Sequence, residues 1–403
     1  MSSTYKRTLI QGLNQYLNPL FTAPNGVWSW FSSPNAVCYN GNTYFGYVNN
    51  SGDVIVAKFT SSTSTLSTFT LHAALEVDDH DYPAILIRPD GKIQCFYCKH
   101  GADNNRFYRI SSNIEDISSF SSEQTLTSNT AGVNGATYSN VFYLSSESKY
   151  YWFWRGGDYH PAYATSTDGQ TWTNAATLYD TGDGNRPYVK YCSNNTDTIH
   201  FTCTSGHPDD VTTSIYYFKY TNGNFYKADG TLIKSIAQLP LNTIDLEKIY
   251  DASANSNRTS WTFDIAYDSS YYPVIVYTNY VSTTDHRYRY IRWNGSSWID
   301  NEIIAAGSYL YAAQPHYSAG ICLDHANPNI IYFSKQNGSV YELFKGITNN
   351  NGSSFNINRI VTGSNNTIIR PISVLNASSN FSILFPMGSY TSYINYSMTI
   401  NHN

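Results

Sequence analysis

Four pairs of ionisable side chains flank predicted β-hairpins along the chain. The two strands of a hairpin are antiparallel, so the residue before the first strand and the residue after the second lie at the same end, opposite the turn. Histidine and tyrosine transfer protons, and arginine and lysine pair with anions, so these residues together suit proton transfer on a negatively charged ligand. The pairs are His80 with His100, Tyr138 with Arg155, Arg186 with His207, and His316 with Lys335.

The hairpins that carry these pairs recur at intervals of several tens of residues. Each has a short alternating or apolar strand, a tight polar turn and a returning strand rich in aromatic residues. This spacing is typical of the blades of a β-propeller, and a radial arrangement with one polarity would place all eight residues around one mouth of the central channel. The clearest hairpins join residues 84–88 to 92–98, 141–144 to 149–154, 187–191 to 198–203, 261–267 to 273–277, and 319–323 to 330–334.

The composition favours short strands joined by polar turns. The chain has 403 residues, with 37 tyrosines, 19 phenylalanines and 25 glycines but only three methionines. Aromatic residues are enriched in strands, and glycine in turns, so a helical bundle is excluded. We predict an all-β chain that forms a single β-propeller domain over residues 1–403. We expect the first ~20 residues and the C-terminal strand to close the ring.

One hairpin turn carries a complete Asp-box motif, Ser-Thr-Asp-Gly-Gln-Thr-Trp, at residues 166–172. In this motif the carboxylate of Asp168 accepts backbone N–H bonds across the turn, Gly169 supplies a positive φ, and Trp172 packs between sheets. Residues 293–298 and 222–225 look like degenerate copies. The motif predicts a structural clasp of a propeller blade and says little about chemistry.

Charge and hydropathy narrow the range of partners. The formal net charge is −5, so the chain lacks the excess of Lys and Arg that phosphate backbones require, and we expect no nucleic-acid partner. No apolar run approaches the length of a membrane span, and no apolar signal-peptide core follows the N-terminal residues. The six cysteines are too dilute for a disulfide framework and are interpreted as buried free thiols. We expect a monomer that acts outside the cell.

Other known site chemistries find weaker support. The sequence has no Gly-x-Ser-x-Gly elbow, no His-Glu-x-x-His and no phosphate-binding loop before a helix. The acidic run around His80 could suggest a metal cluster, but neighbours on an extended segment point to different sides. A metal bound through His207 or His286, with Cys203 as a soft ligand, is a further hypothesis.

Several segments in combination resemble the BNR-repeat family that contains the ulvan lyases. The resemblance extends from about residue 80 to residue 334 and includes the Asp-box. The remaining segments that carry it are residues 79–83, 88–91, 99–101, 137–140, 154–156, 186–188, 206–208 and 226–231.

This resemblance implies a seven-bladed propeller and a polysaccharide lyase that cleaves next to a uronic acid by β-elimination. His80 and His100 match the two family histidines, Tyr138 the catalytic tyrosine and Arg155 the arginine that neutralises the uronate carboxylate. These are the residues that the hairpin argument brings together independently. The resemblance does not assign the roles of base and acid among His80, His100 and Tyr138. A cation beside Tyr138 would lower the pKa of its phenol and favour it as the base.

The expected substrate is an anionic polysaccharide, with ulvan first. No cofactor is expected for the chemistry, and a structural zinc or calcium ion is a further hypothesis. Subsite contacts would come from residues that stack on sugar faces or pair with uronate or sulfate groups. The predicted contacts are Arg186, Tyr188, His207, Arg287, Tyr288, His316, Tyr317 and Lys335.

Two other functions fit a propeller with an Asp-box. A sialidase-like glycoside hydrolase would need a carboxylic acid near the mouth, for which Asp78, Asp79, Asp81 and Asp158 are candidates, and a cluster of arginines, which is not apparent. A carbohydrate-binding propeller without catalysis, such as a viral or phage surface module, would need neither. One fold hosts many activities, so the site has to decide between them.

Overall fold

Seven antiparallel sheets form the blades of a propeller in the computed structural model, which describes residues 22–23, 25–361, 365–377 and 382–402. The prediction of an all-β, seven-bladed propeller is confirmed. The strands are rich in tyrosine, phenylalanine, valine and isoleucine, which suit a pleated surface buried between neighbouring sheets. The four described helices are single 3-10 turns: Gly157–Tyr159, Ile236–Gln238, Thr243–Asp245 and Ser253–Asn255. None of them has the length and apolarity to cross a membrane.

Blades 1 to 3 are meanders of four strands each, and the first strand of each blade is the innermost. Blade 1 contains Ala36–Tyr39, Asn42–Val48, Val54–Thr60 and Thr65–His72; blade 2 contains Ala84–Ile87, Lys92–Cys98, Arg106–Ile114 and Gln124–Leu126; blade 3 contains Thr137–Leu144, Lys149–Arg155, Pro161–Ser166 and Ala176–Thr177.

Blade 4 is the largest, and a short parallel pair, Tyr179–Asp180 with Leu241–Asn242, lies beside it. Blade 4 contains Val189–Ser193, Thr198–Thr204, Ile215–Thr221, Asn224–Tyr226, Leu232–Ser235 and Glu247–Tyr250; blade 5 contains Ser260–Tyr267, Pro273–Ser282, Asp285–Trp293 and Trp298–Gly307; blade 6 contains Ile321–Leu323, Ile330–Asn337, Val340–Ile347 and Asn356–Val361.

Blade 7 combines the two ends of the described chain and closes the ring. Thr22–Ala23 pairs with Asn395–His402, which pairs with Ile383–Ser392. The short strands Thr367–Ile368 and Ile372–Ser373 complete the sheet, and a bridge between Val37 and Leu375 joins blade 7 to blade 1. The C-terminal strand therefore takes part in closure, while the first 20 residues lie outside the described part of the chain.

Buried aromatic and aliphatic side chains fill the wedges between adjacent blades. Between blades 3 and 4, for example, Phe153 packs against Tyr191 and Phe201 with ring centroids 5.1 and 5.6 Å apart. All six cysteines are free thiols, five of them buried and Cys38 half-buried, so they act mainly as small apolar residues of these cores. The wedges hold the inner strands at fixed angles, which positions the residues at the strand ends.

The turn at residues 166–172 is held by the side chains of Ser166 and Asp168. Asp168 accepts backbone N–H bonds from Gln170 and Thr171, and the Ser166 hydroxyl accepts one from Gly169. Gly169 has a φ of +73°, and the indole of Trp172 packs edge-on against Trp152 with ring centroids 5.3 Å apart. The turn lies at the outer part of blade 3 and contributes no group to the mouth.

A buried segment before blade 1, residues 27–33, crosses the centre of the ring, and we call it the plug. Its Trp30 ring stacks on Phe263 of blade 5 at 4.8 Å, and its Phe31 ring lies 4.7 Å from Tyr188 of blade 4. The Ser32 amide donates to the Tyr82 hydroxyl before blade 2 at 2.7 Å, and Trp28 donates to the carbonyl of Arg370 in blade 7. The plug therefore separates the two ends of the central channel.

Candidate active site

The structure brings together the four residues predicted to be catalytic at one mouth of the ring. The imidazoles of His80 and His100 are stacked with centroids 3.8 Å apart. The Tyr138 ring lies 5.4 Å from His80, and the Arg155 guanidinium carbon lies 5.0 Å from the centre of the Tyr138 ring. Two imidazoles, a phenol and a guanidinium thus share a space that one monosaccharide can span.

Asp78 joins the two histidines. One of its carboxylate oxygens contacts Nδ1 of His80, and the other lies 2.9 Å from Nδ1 of His100. Burial by itself raises the pKa of Asp78, but the two imidazoles outweigh this and hold its pKa below the usual range. Asp78 is therefore ionised and accepts from both Nδ1–H groups. In a neutral imidazole held in this way, Nε2 is left as the proton acceptor.

His100 has the more accessible imidazole of the two. Its side chain is 24% exposed, whereas that of His80 is 1% exposed. Burial, followed by the charge of His80, lowers the pKa of His100 to about 4, against the opposing effect of Asp78. His100 is neutral at neutral pH, so its Nε2 can accept a proton. The Nε2 of His80 lies 3.4 Å from the Tyr317 hydroxyl, which limits its freedom to do so.

Tyr138 sits on a bulge at the start of blade 3 in a strained conformation. The register of the first hairpin shifts between Thr137 and Asn140, and Tyr138 has a φ of +61°, a left-handed conformation that is rare for an aromatic residue. This backbone directs the ring towards Phe31 and His80. Strained residues of this kind occur mainly where surrounding packing enforces them, and often at functional sites.

The protonation of Tyr138 differs from the sequence-based expectation. Burial, followed by the neighbouring Tyr188, raises the pKa of Tyr138 well above its ordinary value, and the charge of Arg155 offsets only part of that effect. Arg155 alone would lower this pKa, as expected from the sequence. The side chain is 5% exposed, however, and the loss of hydration dominates. Tyr138 therefore keeps its proton at neutral pH and can act as a donor.

Arg155 is a buried cation without an ion pair to any described residue. Its guanidinium donates to the Tyr188 hydroxyl at 2.9 Å and to the Thr137 hydroxyl at 3.2 Å, and its Nε has no partner within the described chain. Burial by itself lowers the pKa of Arg155, but the nearby Tyr188 and Tyr138 outweigh this and raise it above the ordinary value, so the group stays charged. A cation held in this way suits an incoming carboxylate.

Five further residues predicted from sequence lie around the same mouth. Tyr188 holds Arg155, Tyr317 contacts His80, and Arg186 lies above the Tyr159 ring with an ion pair to Asp210 at 2.6 Å. The His207 ring lies 5.3 Å from the Tyr188 ring, and His316 contacts the carboxylate of Asp209. Of these five, the hairpin rule named Arg186, His207 and His316, whereas Tyr188 and Tyr317 were predicted as subsite contacts. The eighth residue that the rule named, Lys335, does not lie at the strand end, because its strand continues to Asn337.

Three predicted contacts lie away from the cluster, because the sequence indicates a blade but not a radial position within it. Arg287, on the third strand of blade 5, pairs with Asp285 and Glu302. The Tyr288 hydroxyl donates to the Ser334 carbonyl inside the protein. Lys335 lies over the Phe344 ring within blade 6. None of the three contacts His80, His100, Tyr138 or Arg155 in the described structure.

Comparison with known proteins identifies the family. The sequence profile described as "BNR repeat-containing family member" matches residues 42–305, about two thirds of the chain. The chain belongs to the BNR repeat-containing family. No curated protein sequence matches it.

The fold of this BNR-family chain is also that of several solved structures. The ulvan lyase of polysaccharide lyase family 25 superimposes with a TM-score of 0.71 at 17% sequence identity, covering 94% of each chain. The same values hold for an ulvan lyase of that family bound to -[GlcA(1-4)Rha3S]-. Puromycin hydrolase matches with a TM-score of 0.53 at 10% identity, covering 94% of this chain and 54% of its own. At these identities the likeness establishes the fold alone.

The three metal ligands suggested from sequence do not form a ligand set. Both ring nitrogens of His286 are hydrogen-bonded, to the Ser318 hydroxyl and to the Thr283 and Pro315 carbonyls. Cys203 lies in an apolar core where burial raises its pKa, and His207 packs edge-on against Trp261. Among the described residues, one group of three such side chains has ligand atoms within 4.8 Å of one another, namely Asp78, His80 and His100.

Sequence reasoning missed the positioning role of Asp78 and the ion pair beneath it. Asp79 contacts the Arg370 guanidinium, and the Tyr390 hydroxyl donates to the same carboxylate at 2.7 Å. This pair connects the loop that carries His80 to blade 7. The signal available in the sequence was the spacing of Asp78 and His80, two residues apart. The distant partner Arg370 leaves no local pattern.

Proposed function

We propose that the protein is a polysaccharide lyase that cleaves a uronic-acid-containing polysaccharide by β-elimination, with a glucuronate-rhamnose polymer such as ulvan as the first candidate. The observation that carries this proposal is the meeting of a neutral imidazole, a protonated phenol and an unpaired guanidinium in one mouth. The likeness in fold to an ulvan lyase bound to -[GlcA(1-4)Rha3S]- supports the choice of substrate.

In this reaction the C5–H bond of the uronate and the C4–O4 bond break, and a C4–C5 double bond forms. The C5 proton is very weakly acidic beside an ionised carboxylate, because its removal places a second negative charge next to the first. Arg155 would pair with the carboxylate and stabilise that charge. Its lack of an ion pair within the described protein leaves it free for this task.

The protonation states favour His100 as the base and Tyr138 as the acid. His100 is neutral and accepts the C5 proton at Nε2, while Asp78 holds the proton on Nδ1. Binding of an anionic uronate near His100 raises its pKa towards neutrality, which makes it a stronger base in the complex. Tyr138 keeps its proton until it donates it to O4 of the leaving sugar. His80 holds the His100 ring in place by stacking.

A screen over ulvan, glucuronan, pectic and glycosaminoglycan substrates tests the proposal. A lyase gives ultraviolet absorbance from the unsaturated uronate at the new end. We expect absorbance with a glucuronate-containing chain, and ulvan first. New reducing ends without absorbance would identify a hydrolase, and binding without turnover would identify a carbohydrate-binding propeller. Either result overturns the lyase proposal.

The variant Tyr138→Phe tests the role of the phenol. It keeps the ring and removes the proton donor, so we expect kcat to fall by about 10²–10⁴-fold with little change in KM. Lys335→Met is the matched control, because Lys335 lies away from the cluster, and we expect it to retain activity. Full activity in Tyr138→Phe would exclude Tyr138 as the acid.

A further inference from the structure

A cavity among the described residues lies on the other side of the plug from the candidate active site. It has a volume of about 550 Å³ and is lined by the innermost strands of all seven blades. Trp30 and Tyr82 line its inner end, and Pro89, Asn195 and Asn376, all exposed, lie at the end facing away from the active site. The cavity is thus a separate chamber that opens on the opposite face of the ring.

Lys190, on the inner strand of blade 4, contributes a cation to this chamber. Only 7% of the residue is exposed. Its ammonium group donates to the Trp30 carbonyl and to the Ser33 hydroxyl at 3.3 Å, and it forms no ion pair with a described carboxylate. Burying a cation without a counter-ion costs free energy. An anion that enters the cavity beside Lys190 would reduce this cost.

Asn35 provides a second unsatisfied group on the same wall. It is 8% exposed, and neither the nitrogen nor the oxygen of its side-chain amide has a hydrogen-bond partner among the described residues. It follows Ser33, which binds Lys190, by two residues, and it lines the same cavity. Buried amides in native proteins are nearly always paired, so a ligand or water with donors and acceptors is expected at this position.

The carboxylate of Asp264 on the inner strand of blade 5 is already satisfied. It lies 3.1 Å from Nε2 of His325 and accepts the backbone N–H groups of Leu323 and Ile265. It therefore does not neutralise Lys190 by direct contact, yet its negative charge in the same cavity disfavours a ligand with two negative charges. The chamber favours a monovalent anion over a phosphate dianion.

We propose that this chamber binds a small hydroxylated carboxylate the size of one sugar acid. The carboxylate pairs with Lys190, and its hydroxyl groups bond to Asn35 and to the neighbouring serine and asparagine side chains. The volume far exceeds the roughly 30 Å³ that one water molecule occupies, so a monosaccharide fits with water around it. This site is distinct from the mouth that carries Arg155 and does not depend on the lyase reaction.

Isothermal titration of the full chain with sodium glucuronate, and with glucose as the neutral comparison, tests the proposal. We expect saturable binding of glucuronate and at least ten times weaker binding of glucose. Lys190→Met should weaken glucuronate binding by roughly 10-fold or more, as loss of a charged hydrogen bond predicts. Because Arg155 would itself bind a uronate carboxylate in the mouth, these titrations are made in the Arg155→Met background, where the glucuronate binding that remains reports on the chamber.

A second variant keeps the test decisive if Lys190→Met does not fold. Asn35→Asp adds a negative charge on the chamber wall and should weaken glucuronate binding while sparing the core packing. Thermal unfolding shows which variants are folded. Equal binding of glucose, loss of binding in Arg155→Met, or undiminished binding in a folded Lys190 or Asn35 variant would each overturn the proposal, as would the absence of any glucuronate binding.

Discussion

Asp78 has the most specific role that can be tested at the scale of a single residue. Its two oxygens accept one Nδ1–H each from His80 and His100. Asparagine has the same shape but only one acceptor oxygen, so Asp78→Asn forces one imidazole to turn or to move its proton to Nε2. An imidazole with its proton on Nε2 is a donor and cannot act as the base. The variant therefore tests whether Asp78 positions the two imidazoles, while the packing of its side chain is kept.

For Asp78→Asn we expect kcat to fall by about 10²-fold or more, with KM nearly unchanged. The pH profile provides the decisive readout. Activity that needs neutral His100 is present above its pKa of about 4 in the free protein and is lost below it. Because Asp78 raises this pKa, its removal should shift the acidic limb to lower pH.

Asp158→Asn is the matched control for this variant. Asp158 is an exposed carboxylate at the same mouth that accepts a backbone bond from Val133 at 3.3 Å. We expect activity within about threefold of the unaltered protein, since surface substitutions of this kind cost little. An unchanged rate and pH profile in Asp78→Asn would refute the positioning role.

At the scale of elements, the plug supports the floor of the active site. Trp30 is buried and contacts Phe263, Trp261 and Tyr317 with centroids 4.8 to 5.3 Å apart. Trp30→Ala should lower the free energy of unfolding by about 3–5 kcal/mol, the usual cost of removing a large buried aromatic ring. Urea titration measures this as a lower midpoint with an unchanged slope.

The half-buried Trp172 in the outer turn of blade 3 is the control for Trp30. Trp172→Ala removes the same side chain from a less enclosed position, so it should lower the free energy of unfolding by less than Trp30→Ala does. If Trp30→Ala lowered the free energy of unfolding by less than about 1 kcal/mol, the plug would not be an integral part of the core.

The sequence predicted the hairpins and their common polarity, and these suffice to bring His80, His100, Tyr138 and Arg155 to one mouth. Strand ends follow from local patterns, because turn residues and alternation mark them. The plug has no periodic pattern, and its contacts reach blades 3, 4, 5 and 7, which are distant in sequence, so nothing local indicates it. Likewise the pKa of Tyr138 depends on burial that only the assembled ring produces.

At the scale of the whole molecule, the ring buries histidines in their neutral form. Burial is the main cause that lowers the pKa of His100 and His286 to about 4 and that of His200 and His207 to about 3. Unfolded histidine has a pKa of about 6.5. Between pH 6.5 and 4 the unfolded chain therefore binds more protons than the folded protein. The contribution of these histidines to the free energy of unfolding is complete above pH 6.5 and is lost as the pH falls through this range.

We expect the free energy of unfolding to fall by several kcal/mol between pH 7.5 and 4.5, since each pKa unit corresponds to about 1.4 kcal/mol per histidine. Urea titrations at a series of pH values measure this. His200→Gln should flatten the dependence, because His200 is buried and its Nε2 has no partner in the part of the chain that the structure describes. His72→Gln is the control, since His72 is 28% exposed and paired with Glu123. A stability independent of pH over this range, or an equal effect of both variants, would show that buried neutral histidines do not set the acid limit of this propeller.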